Sequence, residues 1–210
     1  MDQTAQAKTI EPRQARALKT RSALLDAVEA LVASEGPASV TTTRLAATTG
    51  VSVGTIYRYF ADREALLLAA YDATVTRIVA RCADALDGLH GTTPVGHAAT
   101  RLLGIYLDTA DAIPGHAGLL AAMRSIRPIE ADQSGNNEAS IVSDILAPFL
   151  AKFAPGTAPD SSRLHFMNVL IGTMVDLYLV TADPQERQHL RAEIDAHMLL
   201  ALQRTLRAEG

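Results

Sequence analysis

The chain has 210 residues, 48% hydrophobic, 20% charged and 4% aromatic, with a formal net charge of −4. That composition excludes disordered, collagen-like and disulfide-built proteins, and the length suits one or two compact domains burying about 70% of their unfolded surface. Cys82 is the single cysteine, so no internal disulfide can form and a reducing, cytoplasmic setting is expected. Met1–Glu11 is polar, without the apolar core of a signal peptide, and no run of about 18 consecutive apolar residues occurs, so no membrane partner is expected.

Charge is uneven. Between residues 8 and 21, Lys8, Arg13, Arg16, Lys19 and Arg21 are opposed only by Glu11, while acidic side chains outnumber basic ones beyond residue 65. A basic end on an acidic body suits a protein that offers one end to a polyanion, with Arg13 and Arg16 placed to meet phosphates. A solvated helix start accounts for the same charge run without a partner.

From Arg13 to Glu35, the residues Leu18, Leu25, Val28 and Val32, flanked by Leu24 and Leu31, recur at three- and four-residue steps until Gly36-Pro37. This spacing predicts one long amphipathic helix with a basic first half. Two short helices over 43–49 and 53–60 follow, joined by Gly50-Val51-Ser52 and too short to stand alone. Asp62 is placed to cap a helix reaching about Leu86, with Glu64 in its first turn. Gly88, Gly91, Pro94 and Gly96 interrupt the pattern. Helices are then expected over 95–111, 115–127 and 137–153, separated by Ile113-Pro114-Gly115 and by a polar loop over Ala131–Asn137. After Pro155-Gly156 and Pro159, an apolar helix is expected over 162–180, and Asp183-Pro184-Gln185-Glu186 opens a last one reaching about Arg207. No alternating β-branched run, internal repeat or low-complexity tract occurs. The expected fold is all-α with about nine helices, divided into an N-terminal three-helix domain over 12–61 and a helical body over 62–210.

Residues 41–60 have the form of a helix-turn-helix. Leu45 and Ala46 face inward, Gly50 supplies a positive φ angle, Val51 plugs the corner and Ser52 caps the second helix, whose buried face holds Ile56 and Phe60. Its open side keeps Val53, Gly54, Thr55, Tyr57, Arg58 and Tyr59. A helix fits the major groove, and this motif presents the start of its second helix to base edges while other groups hold phosphates. Gly54 lets backbone approach DNA. Ser52 and the amides at the helix start suit a phosphate oxygen, and Tyr57, Tyr59 and Arg63 reach others. Arg58 and Thr55 suit base reading, since a guanidinium grips guanine in two places and a threonine methyl meets thymine.

Here the sequence resembles the tetracycline-repressor (TetR) family of bacterial transcription regulators. The likeness runs from about Arg16 to Ala70, through Thr41, Leu45-Ala46, Gly50-Val51-Ser52, Gly54-Thr55-Ile56-Tyr57, Tyr59-Phe60, Arg63-Glu64 and Leu66. It implies that Thr41 caps the first short helix and touches phosphate, and that Thr43 and Arg44 lie near the groove edge. Arg63 stands where the family usually has lysine, and Tyr59 where histidine is common; both keep a phosphate-binding group. Beyond residue 70 the resemblance is one of architecture.

The family implies a homodimer, a palindromic operator in double-stranded DNA, no cofactor, and release by a small-molecule effector bound in the helical body, which would make 62–210 a ligand-binding and dimerisation domain. In that mechanism the effector shifts the helix over 62–86. The sequence adds its own support for pairing: helix 162–180 carries Leu164, Met167, Leu170, Ile171, Met174, Val175, Leu177 and Tyr178, apolar around more than one stripe, and helix 184–207 adds Leu190, Ile194, Met198 and Leu202. A central helix buried within one subunit has the same pattern. Candidate effector contacts are Tyr106, Met123, Phe149, Phe166, Met167, Met174 and Tyr178, with His116, His165 and Asp176 as polar members; ordinary core explains each as well. Asp176, set in a hydrophobic run, requires a partner, an interface contact or water.

Two rival readings exist. Gly50-Val51-Ser52-Val53-Gly54 matches the G-x-S-x-G pattern of serine hydrolases, but that chemistry needs a strand feeding the turn, and Arg44–Thr49 is expected to be helical. A non-enzymatic protein is therefore expected. The six histidines form no HExxH motif, and the glycines and proline between His90 and His97 break any helix that would align them, so no metal is expected. The second rival is a helix-turn-helix protein acting mainly through protein partners.

Overall fold

The computed structural model describes residues 12–127, 141–156 and 161–207, and every regular element among them is helical. In chain order these are α1 (Pro12–Glu35), a 3-10 turn (Pro37–Ser39), α2 (Thr42–Thr49), α3 (Val53–Tyr59), α4 (Arg63–Gly88), α5 (Val95–Asp111), α6 (His116–Ile126), a π turn (Val142–Leu146), α7 (Ala147–Phe153), α8 (Ser161–Val180) and α9 (Pro184–Arg207). The described residues thus hold nine α-helices, the number expected. Of the helix expected over 137–153, the described part holds a π turn followed by a short α-helix. Pro148 explains the break, since its ring crowds the carbonyl four residues back and it has no N–H to give. The loop expected over Ala131–Asn137 lies outside the described residues.

Local chemistry sets the helix starts. Thr41 Oγ1 accepts from the Arg44 amide at 3.2 Å, Asp62 Oδ1 from Ala65 at 2.7 Å, and Asp183 Oδ1 from Gln185 and Glu186 at 2.8 and 2.9 Å. Gly50 ends α2 at φ 69°, with its N–H on the Ala46 carbonyl.

Leu24, Val28, Leu45, Ile56, Phe60 and Leu66 form the centre of the N-terminal core. That core does not stop at α4: Leu119 and Ala122 of α6 belong to it. The close approach of α6 is made by two glycines in ordinary backbone conformation. A Cβ on Gly118 would stand 2.6 Å from Val32 Cγ1, and one on Gly115 would stand 2.7 Å from the Glu29 carbonyl oxygen. A second core joins α4, α5, α6, α8 and α9 through Ile78, Leu107, Leu120, Met123, Val175 and Ile194, and a third joins Leu86, Leu102, Phe149 and Leu202.

Among the described helices α8 alone is long and apolar enough to cross a membrane, over Ser162–Val180 at mean hydropathy 1.2. It packs on α5, α6 and α9, and carries Asp176 in an ion pair with Arg124.

Candidate nucleic-acid interface and internal cavity

The helix-turn-helix is α2, the Gly50-Val51-Ser52 corner and α3. Leu45, Ile56 and Phe60 turn into the core beneath it, which fixes the opposite face of α3 outward. Ser52 Oγ accepts from the Thr55 amide at 3.2 Å and shares a 2.9 Å hydrogen bond with the Thr55 hydroxyl. Val53, Gly54, Tyr57 and Arg58 are exposed, Tyr57 by 53%. Thr55 is half-buried, as is Tyr59, which packs against the N-terminal core rather than standing on the open side. Its ring lies 6.4 Å from that of Phe60.

Around this face, Arg16, Thr41 and Thr43 are exposed, and Arg44 is exposed in an ion pair with Glu35. Arg13 lies in α1, its side chain outside the described residues. Arg21 caps the Phe60 ring at 5.6 Å and ties α1 to the end of α3. Arg63 differs from a simple phosphate ligand. Its Nε donates to the Val40 carbonyl at 2.8 Å and a terminal nitrogen to that of Pro37, so it braces the turn ahead of α2. Sequence spacing gave no signal for this bond, which spans more than twenty residues.

The helical body holds a partly open cavity of about 230 Å³ between α4, α5, α6, the π turn, α7, α8 and α9. Tyr106, Phe149, Met167 and Asp176 line it, four of the ten candidates. The others lie elsewhere. His116 is buried against α4, its Nδ1 2.8 Å from the Thr74 hydroxyl and its ring stacked on Tyr71 at 5.7 Å. Burial, and then the charge of Arg77, bring its pKa down to about 4 despite Asp111. Met123 fills the second core, and half-buried Met174 packs on it. Tyr178 donates to Asp111 at 2.6 Å with the Arg187 guanidinium 4.5 Å over its ring. Phe166 is 63% exposed and His165 is half-buried away from the cavity lining.

On α8 the cavity is lined by most of the stretch from Met167 to Asp176, while Phe166, Met174 and Tyr178 are turned away from it. Polar or reactive lining residues absent from the sequence-based set include Tyr71, Cys82, Arg124 and Asn168. Arg124 is the partner that Asp176 required, its Nε donating to Oδ2 at 2.7 Å. Burial pushes the Tyr106 hydroxyl well above its usual pKa, with the charges of Asp176 and Cys82 adding to the effect. Burial also lifts the Cys82 thiol to about 11, against the charge of Arg81.

Residues 24–70, from the second half of α1 through the start of α4, match the family described as "Bacterial regulatory proteins, tetR family". These residues are a tetR-family domain. The chain as a whole has the fold of TetR-family transcriptional regulators. The repressor AlkX of Dietzia sp. strain DQ12-45-1b, described as implicated in biodegradation of n-alkanes, superimposes with a TM-score of 0.61 at 16% identity over 87% of this chain and 95% of its own. A tetR-family regulator from Streptomyces coelicolor gives 0.61 at 17% over 90% and 82%. One from Rhodococcus sp. gives 0.57 at 23% over 86% and 99%. At these identities the likeness is one of fold. No curated protein matches the chain. The G-x-S-x-G match falls within the tetR-family helix-turn-helix, where Ser52 is a helix cap following α2.

Proposed function

We propose that the protein is a cytoplasmic transcriptional repressor that binds a palindromic operator as a homodimer and is released by a small-molecule effector. The observation that carries this reading is the outward face of α3, where Val53, Gly54, Tyr57 and Arg58 stand exposed on a helix clamped from below by Ile56. A helix so presented enters a major groove, with Arg58 reading bases and Arg16, Thr41, Thr43, Ser52 and Tyr57 meeting phosphates.

Pairing has its own support. Phe166, Leu170, Thr173, Leu177 and Val180 recur on α8 at alternating steps of four and three, and Phe166, Leu177 and Val180 are 63%, 52% and 49% exposed. With Leu200 of α9, 47% exposed, they offer an apolar surface suited to a second copy in a four-helix arrangement.

The effector acts through α6. Arg124 on this helix faces the cavity, and Gly115 and Gly118 at its start press on α1 without room for a methyl group. A ligand that binds better when Arg124 is displaced moves α6, and α1 and α4 follow, changing the spacing of the two α3 helices.

The test is fluorescence anisotropy with the DNA flanking the protein's own gene. Wild type should prefer it over scrambled DNA, with affinity falling linearly in log salt, and Arg58→Ala should lose the preference while keeping most non-specific affinity. Equal binding to both DNAs by the wild type contradicts the reading.

A further inference from the structure

The short stretch from Asp111 to His116 ties α8 and α9 to the N-terminal domain. Asp111, the last residue of α5, gives each carboxylate oxygen to a different helix. Oδ2 accepts from the Tyr178 hydroxyl of α8 at 2.6 Å, and Oδ1 accepts from the Arg187 guanidinium of α9, which lies over the Tyr178 ring. At the other end Gly115 leaves no room for a methyl group against the Glu29 carbonyl of α1, and His116 Nδ1 lies 2.8 Å from the Thr74 hydroxyl of α4. Glu29 is itself ion-paired with Arg77 of α4.

Between these ends the chain has little freedom. The amides of Ala112, Ile113 and His116 donate to the carbonyls of Asp108, Ala110 and Ile113 at 3.1, 3.2 and 3.0 Å, and Pro114 fixes its own φ angle. Tyr178 stands beside Leu177 and Val180, exposed apolar residues of the surface suited to a second copy. The path from that surface to α1 and α4 is therefore short and bonded throughout.

We propose that Asp111 is a positioning residue for DNA binding: by holding the α5–α6 corner to α8 and α9, it fixes how each N-terminal domain is turned relative to the subunit pair, and so which half-site spacing the dimer accepts. This rests on the homodimeric, DNA-binding reading given above. Direction is the reason for the assignment. Ile78 of α4 and Leu107 of α5 share the second core, but apolar packing sets no preferred angle. A carboxylate that holds donors from two helices does. The Asp111 and Arg187 side chains are 34% and 30% exposed, so their pairing adds little to stability. A bias of about three- to tenfold between two domain orientations is still within reach of one or two such bonds.

Two measurements on the full chain test this. The first is the distance between nitroxides on the two subunits, attached at Arg58→Cys on exposed α3 and read by pulsed electron double resonance; Cys82 is buried, so the label goes to the introduced cysteine. Wild type should give one narrow distance distribution, Asp111→Ala a broad one, and Tyr178→Phe, which frees α8 alone and leaves no group unpaired in its place, an intermediate one. The second uses unlabelled protein and duplexes carrying inverted half-sites from the DNA flanking its own gene. Wild type should lose at least about tenfold in affinity when one inserted base pair turns one half-site by roughly 35°. In Asp111→Ala that discrimination should shrink about three- to tenfold, with affinity for an isolated half-site unchanged.

An unchanged distance distribution in folded, dimeric Asp111→Ala and Tyr178→Phe overturns the proposal, as does an equal loss of affinity at every spacing, which a merely structural role would produce. Absence of any distance between subunits in the wild type removes the homodimer and the proposal with it. If the distances behave as expected while no duplex is preferred, the regulator reading fails and the hold of Asp111 on the domain orientation stands.

Discussion

Arg124 of α6 and Asp176 of α8 are paired on the cavity wall, with Nε and a terminal nitrogen of the guanidinium both donating to Oδ2. The helix that carries Arg124 also packs on α1, α4 and the 3-10 turn, so one ion pair joins the cavity to the element supporting the N-terminal domain. Both side chains are about a quarter exposed, at 28% and 21%, which places their interaction between a surface pair and a buried one. Asp176→Asn should destabilise the protein by about 1–2 kcal/mol in urea denaturation at neutral pH. Unchanged stability would show that the pair contributes nothing to holding α6 on α8.

The glycine contacts at the start of α6 give a second expectation. Gly118→Ala places a methyl 2.6 Å from Val32 Cγ1, and Val32 is β-branched and buried, so it has little freedom to turn aside. Overpacking of this kind should lower stability by about 1–3 kcal/mol, despite the better helix propensity of alanine. A more stable Gly118→Ala protein would mean that α6 does not dock on α1 at this distance.

His116 predicts a pH dependence whose sign is fixed by burial. Its folded pKa, about 4, lies below the ordinary 6.5, so the unfolded chain binds the extra proton between these values. The stability linked to His116 is complete above about pH 6.5 and is lost as the pH falls toward 4, by on the order of 3 kcal/mol. His116→Asn, which keeps a hydrogen-bonding group for Thr74, should flatten that part of the profile in denaturant titrations at stepped pH. Parallel profiles for wild type and variant would contradict a neutral buried imidazole.

Arg63 separates bracing from phosphate contact. Because it donates to the Val40 and Pro37 carbonyls, Arg63→Ala should destabilise the protein by about 1–2 kcal/mol with no DNA present. Hydrogen exchange should quicken in α2 and α3 ahead of α5. A variant of full stability that has lost only DNA affinity would assign Arg63 to phosphate alone.

The helix-turn-helix was legible because its determinants are local. Thr41, Ser52 and Asp62 each bond an amide three residues on, and the left-handed Gly50 stops α2 within its own turn, so four or five adjacent residues encode each boundary. The cavity was less so. α8 is apolar around most of its circumference, and only its packing on α5, α6 and α9 decides that Met167 and Asp176 turn inward while Phe166 faces out. The need of Asp176 for a partner could be read from its apolar setting, but the identity of that partner, 52 residues away, could not. Helical spacing puts Tyr59 on the open side and leaves Arg63 free for phosphate, because it says nothing of the core that half-covers one and the carbonyls that hold the other.

Hydroxyl-radical footprinting of the full-length protein on the DNA flanking its own gene tests the central claim most directly. Two α3 helices related by a two-fold axis should protect a pair of half-sites on one face of the duplex, centred about 34–36 Å apart, with inverted sequences. A single protected half-site at saturation, or no protection at protein concentrations that shift the fragment, would contradict paired groove recognition.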